Sequence, residues 1–326
     1  MLEGTFIMYN AYVIGNGFSI NLMKLLNKGT DIIDLKNLFS KGYVVPCPDD
    51  TIGYLSQEYC PRLWKLGARC FNDEKTNIQI INNIISSYKV YELRLAQHRT
   101  IDNDPQLTYF ELNKYLRNLF FYYNQLVTDD DLKQVMDSIP VLNMIGSNDI
   151  IISYNYDIFL ERILSLKKNA KVSICSGVKS IEGVQIYKPH GSIDFSIDTA
   201  KTKILTSPYD YKPSEITICS NFDKLQSKDL QGQAFIIPPF DYIIGNSGCW
   251  VEHLRSSIQS ALKGAPQKIT FYGLSYDVVD RSEINEIISC INSGSHVEYV
   301  NPKPSPELDY ILTQQFKFYK QKIFER

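Results

Sequence analysis

The sequence predicts an α/β protein, a doubly wound parallel sheet with a large helical insertion after its first strand. Three observations carry this expectation. From about 148 to 302, short apolar runs alternate with helical patterns, the signature of a parallel sheet covered on both faces. A short apolar run at 6–14 leads straight into the turn Gly15-Asn16-Gly17-Phe18-Ser19 and then into a helical pattern over 19–28. Between about 30 and 145 the pattern is mostly helical.

In order, Phe18, Leu22 and Leu25/Leu26 recur at helical spacing and give the first helix one apolar face. "TNIQIINNIISSYKVYELRLAQH" and "TYFELNKYLRNLFFYYNQLV" are long amphipathic stretches, and Asp102-Asn103-Asp104-Pro105 between them offers helix-start chemistry. "DIIISYNYD" then reads as a strand, "IFLERILSLKK" as a helix, and "KVSICSG", "GVQIYKPHGSID" and "QAFIIPPF" as strands. "WVEHLRSSIQSALKG" is a helix, "KITFYGLSYD" a strand, "RSEINEIISCINSG" a helix and "HVEYVNP" the last strand. The expected organisation is one domain over 1–326. Its sheet comes from about 6–20 and 148–302, its insertion spans about 30–145, and a short tail covers 303–326. The basic stretch Lys317–Arg326 reads as a solvated helix end.

Composition narrows the function classes. With 44% hydrophobic and 21% charged residues the chain is that of an ordinary globular protein, and a formal net charge of -2 gives no general drive toward nucleic acid or anionic membrane. The start lacks a basic stretch followed by an apolar one, and no apolar run approaches a membrane span, so a cytoplasmic location is expected. The 7 cysteines (47, 60, 70, 175, 219, 249, 290) form no Cys-x-x-Cys pair, and the 4 histidines are scattered. Reduced thiols and no metal site are the expectation.

In an open parallel sheet, ligands bind beyond the C-terminal ends of the strands. The expected strands end in Gly15-Asn16-Gly17, Asn155-Tyr156-Asp157, Lys188-Pro189-His190-Gly191-Ser192, Gly273-Leu274-Ser275 and Asn301-Pro302. Gly-x-Gly after a strand is either a plain turn or a phosphate site, where bare glycines admit the phosphate and the helix supplies N–H groups. Asn-Tyr-Asp is either a helix cap or part of a site. His190 is either a structural histidine or, on its Pro-His-Gly turn, a side chain aimed at a ligand.

Taken in order, Gly-Asn-Gly-Phe, Ser-Tyr-Asn-Tyr-Asp, Pro-His-Gly-Ser, Gly-Leu-Ser and Val-Asn-Pro resemble a SIR2-like (sirtuin-type) domain, a Rossmann-like fold. The match is closer to the bacterial SIR2-like NADases of anti-phage defence than to sirtuin deacylases. It covers the first strand and most of 148–302, and little of the insertion. The resemblance implies that Gly15, Asn16, Gly17 and Phe18 form the dinucleotide-binding turn, and that Asn155 and His190 are catalytic. It implies that Asp157 orders the nicotinamide-ribose pocket. It places Gly273 and Ser275 on the NAD phosphates and ribose, and Asn301 near the adenosine. Deacylases carry a four-cysteine zinc module after the histidine. Here only Cys219, Cys249 and Cys290 follow His190, with no pairing, so deacylation is in doubt.

The implied activity is hydrolysis of NAD, as substrate, to nicotinamide and ADP-ribose, with no metal. The leaving group is a neutral pyridine and the transition state resembles an oxocarbenium ion, so a glycosidase's carboxylate pair is unnecessary. Asn155 is expected to orient the ribose and water, and His190 to act as general base. The alternatives are a deacylase or ADP-ribosyltransferase, and a module that senses NAD or ADP-ribose without turnover. Uncontrolled hydrolysis would kill the cell, so an abortive-infection effector is expected to be governed by homo-oligomerisation through the insertion or by a separately encoded sensor or activator. The Tyr- and Phe-rich stretch 108–123 offers a contact surface, with packing inside the fold as the alternative.

Overall fold

The computed structural model describes residues 8–47, 51–97, 102–168, 173–175, 183–197, 211–218, 249–264, 266–277 and 280–323. Seven strands form one sheet: β1 (Ala11–Ile14), β2 (Ile150–Ser153), β3 (Ser173–Cys175), β4 (Gln185–Tyr187), β7 (Lys268–Tyr272), β8 (His296–Val300) and β9 (Phe318–Lys322). Their order is β3-β4-β2-β1-β7-β8-β9, and every neighbouring pair is parallel. The chain builds outward from β1 in both directions, first through β2 and later through β7. The fold is thus the expected doubly wound α/β arrangement, with its switch point between β1 and β7. All residues of β1 and β2 are buried, as their unbroken apolar runs require of central parallel strands.

The helices flanking this sheet include α1 (Gly17–Leu25), α7 (Phe159–Lys168), α8 (Trp250–Lys263), α9 (Arg281–Cys290) and α10 (Pro306–Gln315). The insertion after α1 holds α2 (Pro61–Lys65), α3 (Glu74–Ala96), α4 (Asp104–Gln125), α5 (Asp129–Val135) and α6 (Pro140–Met144). Caps set these boundaries: the Asp73 side chain accepts from Thr76 N–H at 2.7 Å, and Thr128 and Asp131 form a reciprocal capping box on α5. Among the described residues no helix is long and apolar enough to cross a membrane.

Several details differ from the sequence reading. The first strand is described only from Ala11, and the helix after it starts at Gly17 and ends at Leu25 rather than spanning 19–28. The described residues of 30–60 form turns and one isolated bridge between Pro46 and Ile52, and the first helix described in the insertion begins at Pro61. The described part of the stretch 317–326 is not a helix end. Phe318–Lys322 is an edge strand paired with β8, so "HVEYVNP" is not the last strand. Lys320 and Lys322 fit that position, because exposed lysines suit a sheet edge. A separate two-stranded antiparallel sheet joins β5 (Phe195–Ile197) to β6 (Ile216–Ile218). The expected strand "QAFIIPPF" lies outside the described residues. Cys47, Cys60, Cys70 and Cys290 are free thiols.

The aromatic stretch 108–123 belongs to the core. Tyr109, Tyr115, Phe120, Phe121 and Tyr123 are all buried. Tyr109 stacks on Tyr88 of α3 with ring centroids 3.9 Å apart, and Tyr115 packs on Phe39 at 5.3 Å. The contact-surface expectation for 108–123 therefore gives way to packing inside the insertion, where these rings bury the largest area per residue. Tyr109→Ala is expected to cost about 3–5 kcal/mol, as for other large-to-small aromatic changes in cores. A chemical-denaturation midpoint lower than wild type, with an unchanged sedimentation profile, is the expected result. A changed oligomeric state at unchanged stability would restore the surface role.

Candidate functional site

Strand register lines up the polar residues. Ile14, Ser153 and Tyr272 pair across β2, β1 and β7, and Tyr272 pairs with Val300. Gly15, Tyr154, Gly273 and Asn301 each follow one of these residues, so they share one level at the C-terminal edge. Likewise Ile152 pairs with Tyr187, and Asn155 and His190 each lie three residues further on. The parallel sheet thus brings together strand ends that are far apart in sequence.

At the switch point the two glycine turns pack directly on each other. Gly17 N–H donates to the Gly273 carbonyl at 2.8 Å, and Gly15 N–H to the Tyr272 carbonyl at 3.0 Å. A Cβ on Gly17 would sit 2.6 Å from Gly273 Cα, and one on Gly15 would sit 2.8 Å from the Gly273 carbonyl oxygen. Gly273 itself has φ +59, a left-handed conformation that favours glycine. The space these glycines leave is filled by backbone. Phe18 is buried and meets Tyr272 edge-on with centroids 6.3 Å apart. Asn16 is exposed, but its amide is pinned to the Leu35 carbonyl at 2.8 Å, on the insertion. Asn301 Nδ2 donates to the Leu274 carbonyl at 2.8 Å and so braces the second turn from β8. Ser275 is exposed, with its hydroxyl 3.5 Å from Asp280 Oδ2.

Beside this switch lies a buried polar network. Asn155 Nδ2 donates to Ser19 Oγ at 3.1 Å, and Ser19 Oγ donates to Asp157 Oδ2 at 2.8 Å. Asp157 Oδ1 also accepts from Phe159 N–H at 3.1 Å, so this residue caps α7 as well. The carbonyl oxygen of Asn155, Oδ1, is buried without a hydrogen-bond partner among the described residues. Lys188 is fully buried. Its ammonium bonds the Asp157 main-chain carbonyl at 2.6 Å and pairs with Glu161 Oε1 at 2.8 Å. Asp194 is buried nearby and acts on the same charges.

This cluster sets one buried ammonium against three carboxyl groups. Burial raises both Asp157 and Asp194 to about 6; Lys188 opposes the rise and Glu161 adds to it. His190 is 4% exposed. Its Nε2 lies 2.7 Å from Glu283 Oε2 on α9, and Tyr154 meets its ring edge-on at 4.8 Å. Burial pulls the imidazole's pKa down, but the Glu283 charge and hydrogen bond outweigh it, leaving His190 above its ordinary value. Burial also raises Asp280, the N-cap of α9, to about 6, with Glu283 and Asp277 adding to the effect and His190 opposing it. The insertion reaches this site through Phe120, whose ring lies 5.8 Å from that of Tyr156.

The structure therefore brings Asn155 and Asp157 together through Ser19, and ties their turn to the His190 turn through Lys188. It places Gly15, Gly17 and Gly273 in one packed contact, and it keeps Phe18 in the core. Ser19, Lys188, Glu161, Asp194 and Glu283 were not singled out from sequence. For Ser19 the signal was its place in the first turn of a helix after a glycine turn. For Glu283, 93 positions from His190, there was none. Among the described residues, no group of three or more His, Cys, Asp or Glu side chains is arranged to hold a metal ion. No family model matches the chain, and no curated protein matches it.

Two expectations follow. Gly17→Ala forces a Cβ against backbone and is expected to cost about 1–3 kcal/mol. Gly29→Ala, where a Cβ meets nothing within 4 Å, should stay within about 0.5 kcal/mol. Equal denaturation midpoints for the two variants would refute the packing argument. The second concerns pH. Asp157, Asp194, Asp280 and His190 all have folded values above their unfolded ones, so the folded chain holds more protons near pH 6. Their stabilisation is complete at low pH and is lost as pH rises through the folded values. The melting temperature should fall between about pH 5 and 7, and Asp194→Asn should flatten that fall. A melting temperature that rises over this window would contradict the reading.

Proposed function

We propose that the chain is a SIR2-like NAD glycohydrolase, which cleaves NAD to nicotinamide and ADP-ribose. The observation that carries this reading is the state of Asn155. Its Nδ2 is anchored on Ser19, and its Oδ1 is a buried acceptor with no donor among the described residues. An unmet buried acceptor costs about 1–3 kcal/mol. A ribose hydroxyl or the attacking water would supply the missing donor. The sheet register that aligns Asn155 with His190, beside the switch point, supports the same reading.

In this reaction a water oxygen bonds to C1′ of the nicotinamide ribose. The bond from C1′ to the ring nitrogen breaks, and its electron pair neutralises the pyridinium. His190 takes the proton from water. Asn155 orients water and ribose, and Asp157 fixes Asn155 through Ser19. The diphosphate lies toward the N-terminus of α1, where Asn16 and Ser275 are the exposed residues flanking the glycine contact. His190 and Asn155 are each 4% exposed, so NAD reaches them only when their cover opens. A resting enzyme closed in this way suits an abortive-infection effector of anti-phage defence, released by oligomerisation or by a separately encoded activator.

NAD consumption by the purified chain, alone and with proteins encoded beside it, tests the proposal. Free nicotinamide and ADP-ribose in equal amounts are expected. His190→Ala and Asn155→Ala should each lower turnover by about 10²–10⁴-fold while nucleotide binding persists. Wild-type turnover in both variants would sink the assignment. ADP-ribose attached to protein, or O-acyl-ADP-ribose, would point to transfer instead.

A further inference from the structure

His190 is held from a direction that the strand-end motifs do not reveal. Glu283 lies in the first turn of α9 and places Oε2 at 2.7 Å from Nε2. The pair is well shielded, with the Glu283 side chain 20% exposed and that of His190 6%. The helix that carries Glu283 is itself fixed. One turn on, Glu286 forms a two-pronged ion pair with Arg255 of α8 and accepts from Gln259 at 2.6 Å. Asn285 accepts from the Tyr276 hydroxyl at 2.7 Å. These contacts fix the backbone that presents Glu283, so the contact to His190 is part of a braced arrangement.

We infer that Glu283 is the positioning residue of His190: it accepts the Nε2–H hydrogen bond, fixes the imidazole in the Nε2–H tautomer and leaves Nδ1 as the basic nitrogen. A carboxylate accepts only, so a neutral His190 in this contact must carry its proton on Nε2. When Nδ1 takes a proton from water, the resulting imidazolium keeps its bond to Glu283, and the carboxylate stabilises the new charge. This is the role a buried acid plays beside a catalytic histidine in general. The role in turnover rests on the hydrolase reading; the tautomer does not.

Other charged and titratable groups act on His190 from the elements around it. Asp280 at the start of α9 favours the protonated form, and Lys89 of α3 opposes it. The Tyr154 and Tyr156 rings lie beside the imidazole, with centroids at 4.8 and 6.1 Å. Of these, Glu283 alone bonds the ring directly among the described residues.

The experiment uses the full chain and Glu283→Gln, with Glu283→Ala as a second variant in case the first is poorly folded. Nitrogen NMR of the His190 ring reads the tautomer and its titration without any turnover. Wild type should show the Nε2–H form and a titration above the ordinary value of about 6.5. The variants should lose the tautomer preference and titrate at least about one unit lower, the effect of losing a close opposite charge. In the activity assay, kcat should fall about tenfold or more, with KM for NAD little changed and the acid limb of the pH profile moved down. An unchanged tautomer and titration would overturn the inference. So would faster turnover in Glu283→Gln, because Glu283 would then be blocking His190. If wild type leaves NAD intact but holds the tautomer through Glu283, the hydrolase reading fails and the pairing stands.

Discussion

The arrangement of this site depends on one ammonium group. Lys188 is fully buried, and it bridges two chain segments that the sheet alone only brings near each other. One bond reaches the Asp157 carbonyl in the turn after β2, and one pairing reaches Glu161 on α7. Lys188 itself stands two residues before His190. A lysine without a partner here would leave a charge in a dry interior, where removing one member of a pair typically costs about 3–5 kcal/mol. The turn that carries Asn155 and Asp157 and the turn that carries His190 are therefore fixed relative to each other by electrostatics. A backbone bond ties the same turns, with Ile193 N–H donating to the Tyr156 carbonyl at 3.1 Å.

The glycine turns solve a different problem at the same edge of the sheet. Parallel neighbours β1 and β7 diverge at the switch point, and both chains must turn away within a residue or two. They do so in contact, with Gly15 and Gly17 against Gly273 and Asn301 bracing the far side. The Gly-x-Gly spacing has two physical readings, close approach by a phosphate and close approach by another backbone. The second is satisfied here by the contacts of Gly15 and Gly17 with Gly273. The proposed diphosphate position is accordingly at the rim of this contact, by Asn16 and Ser275, and not between the glycines.

Much of the sheet was legible because parallel strands leave a strong trace. β1, β2, β7 and β8 are short apolar runs that stop at glycine or a short polar side chain, and the topology then forces those ends together. β9 was not legible: three of the five residues of "FYKQK" are lysine or glutamine, and its strand character comes from pairing at an exposed edge, where apolar alternation is not required. The described residues of 30–60 were expected within a mostly helical stretch, yet they form turns. The aromatic stretch 108–123 could be read as surface or core, because periodicity does not say which partner a rich apolar face finds. At the site, Asn155, Asp157 and His190 stood out by lying at strand ends. Their partners Ser19, Lys188, Asp194 and Glu283 did not, since each is set by contacts across tens to hundreds of positions.

The charges around the site also have a direction that bears on the proposed substrate. Asp157 joins Asn155 through Ser19, Glu161 and Asp194 act with it on Lys188, and Asp280 and Glu283 act on His190, against one buried lysine among the described residues. Such surroundings favour positive charge, and the raised values of Asp157, Asp194, Asp280 and His190 express the same preference through protons. NAD is itself polar along its length, with a cationic pyridinium at one end and an anionic diphosphate in the middle. In the proposed complex one orientation matches: the nicotinamide ribose toward Asn155 and His190, and the diphosphate toward the N-terminus of α1, where the helix dipole favours an anion. The same acidic surroundings favour the positive charge that spreads onto the ribose as its bond to the ring opens. In the proposed reaction they would act on the transition state as fixed groups placed before the reaction begins, the kind of electrostatic preorganisation that lowers such a barrier most.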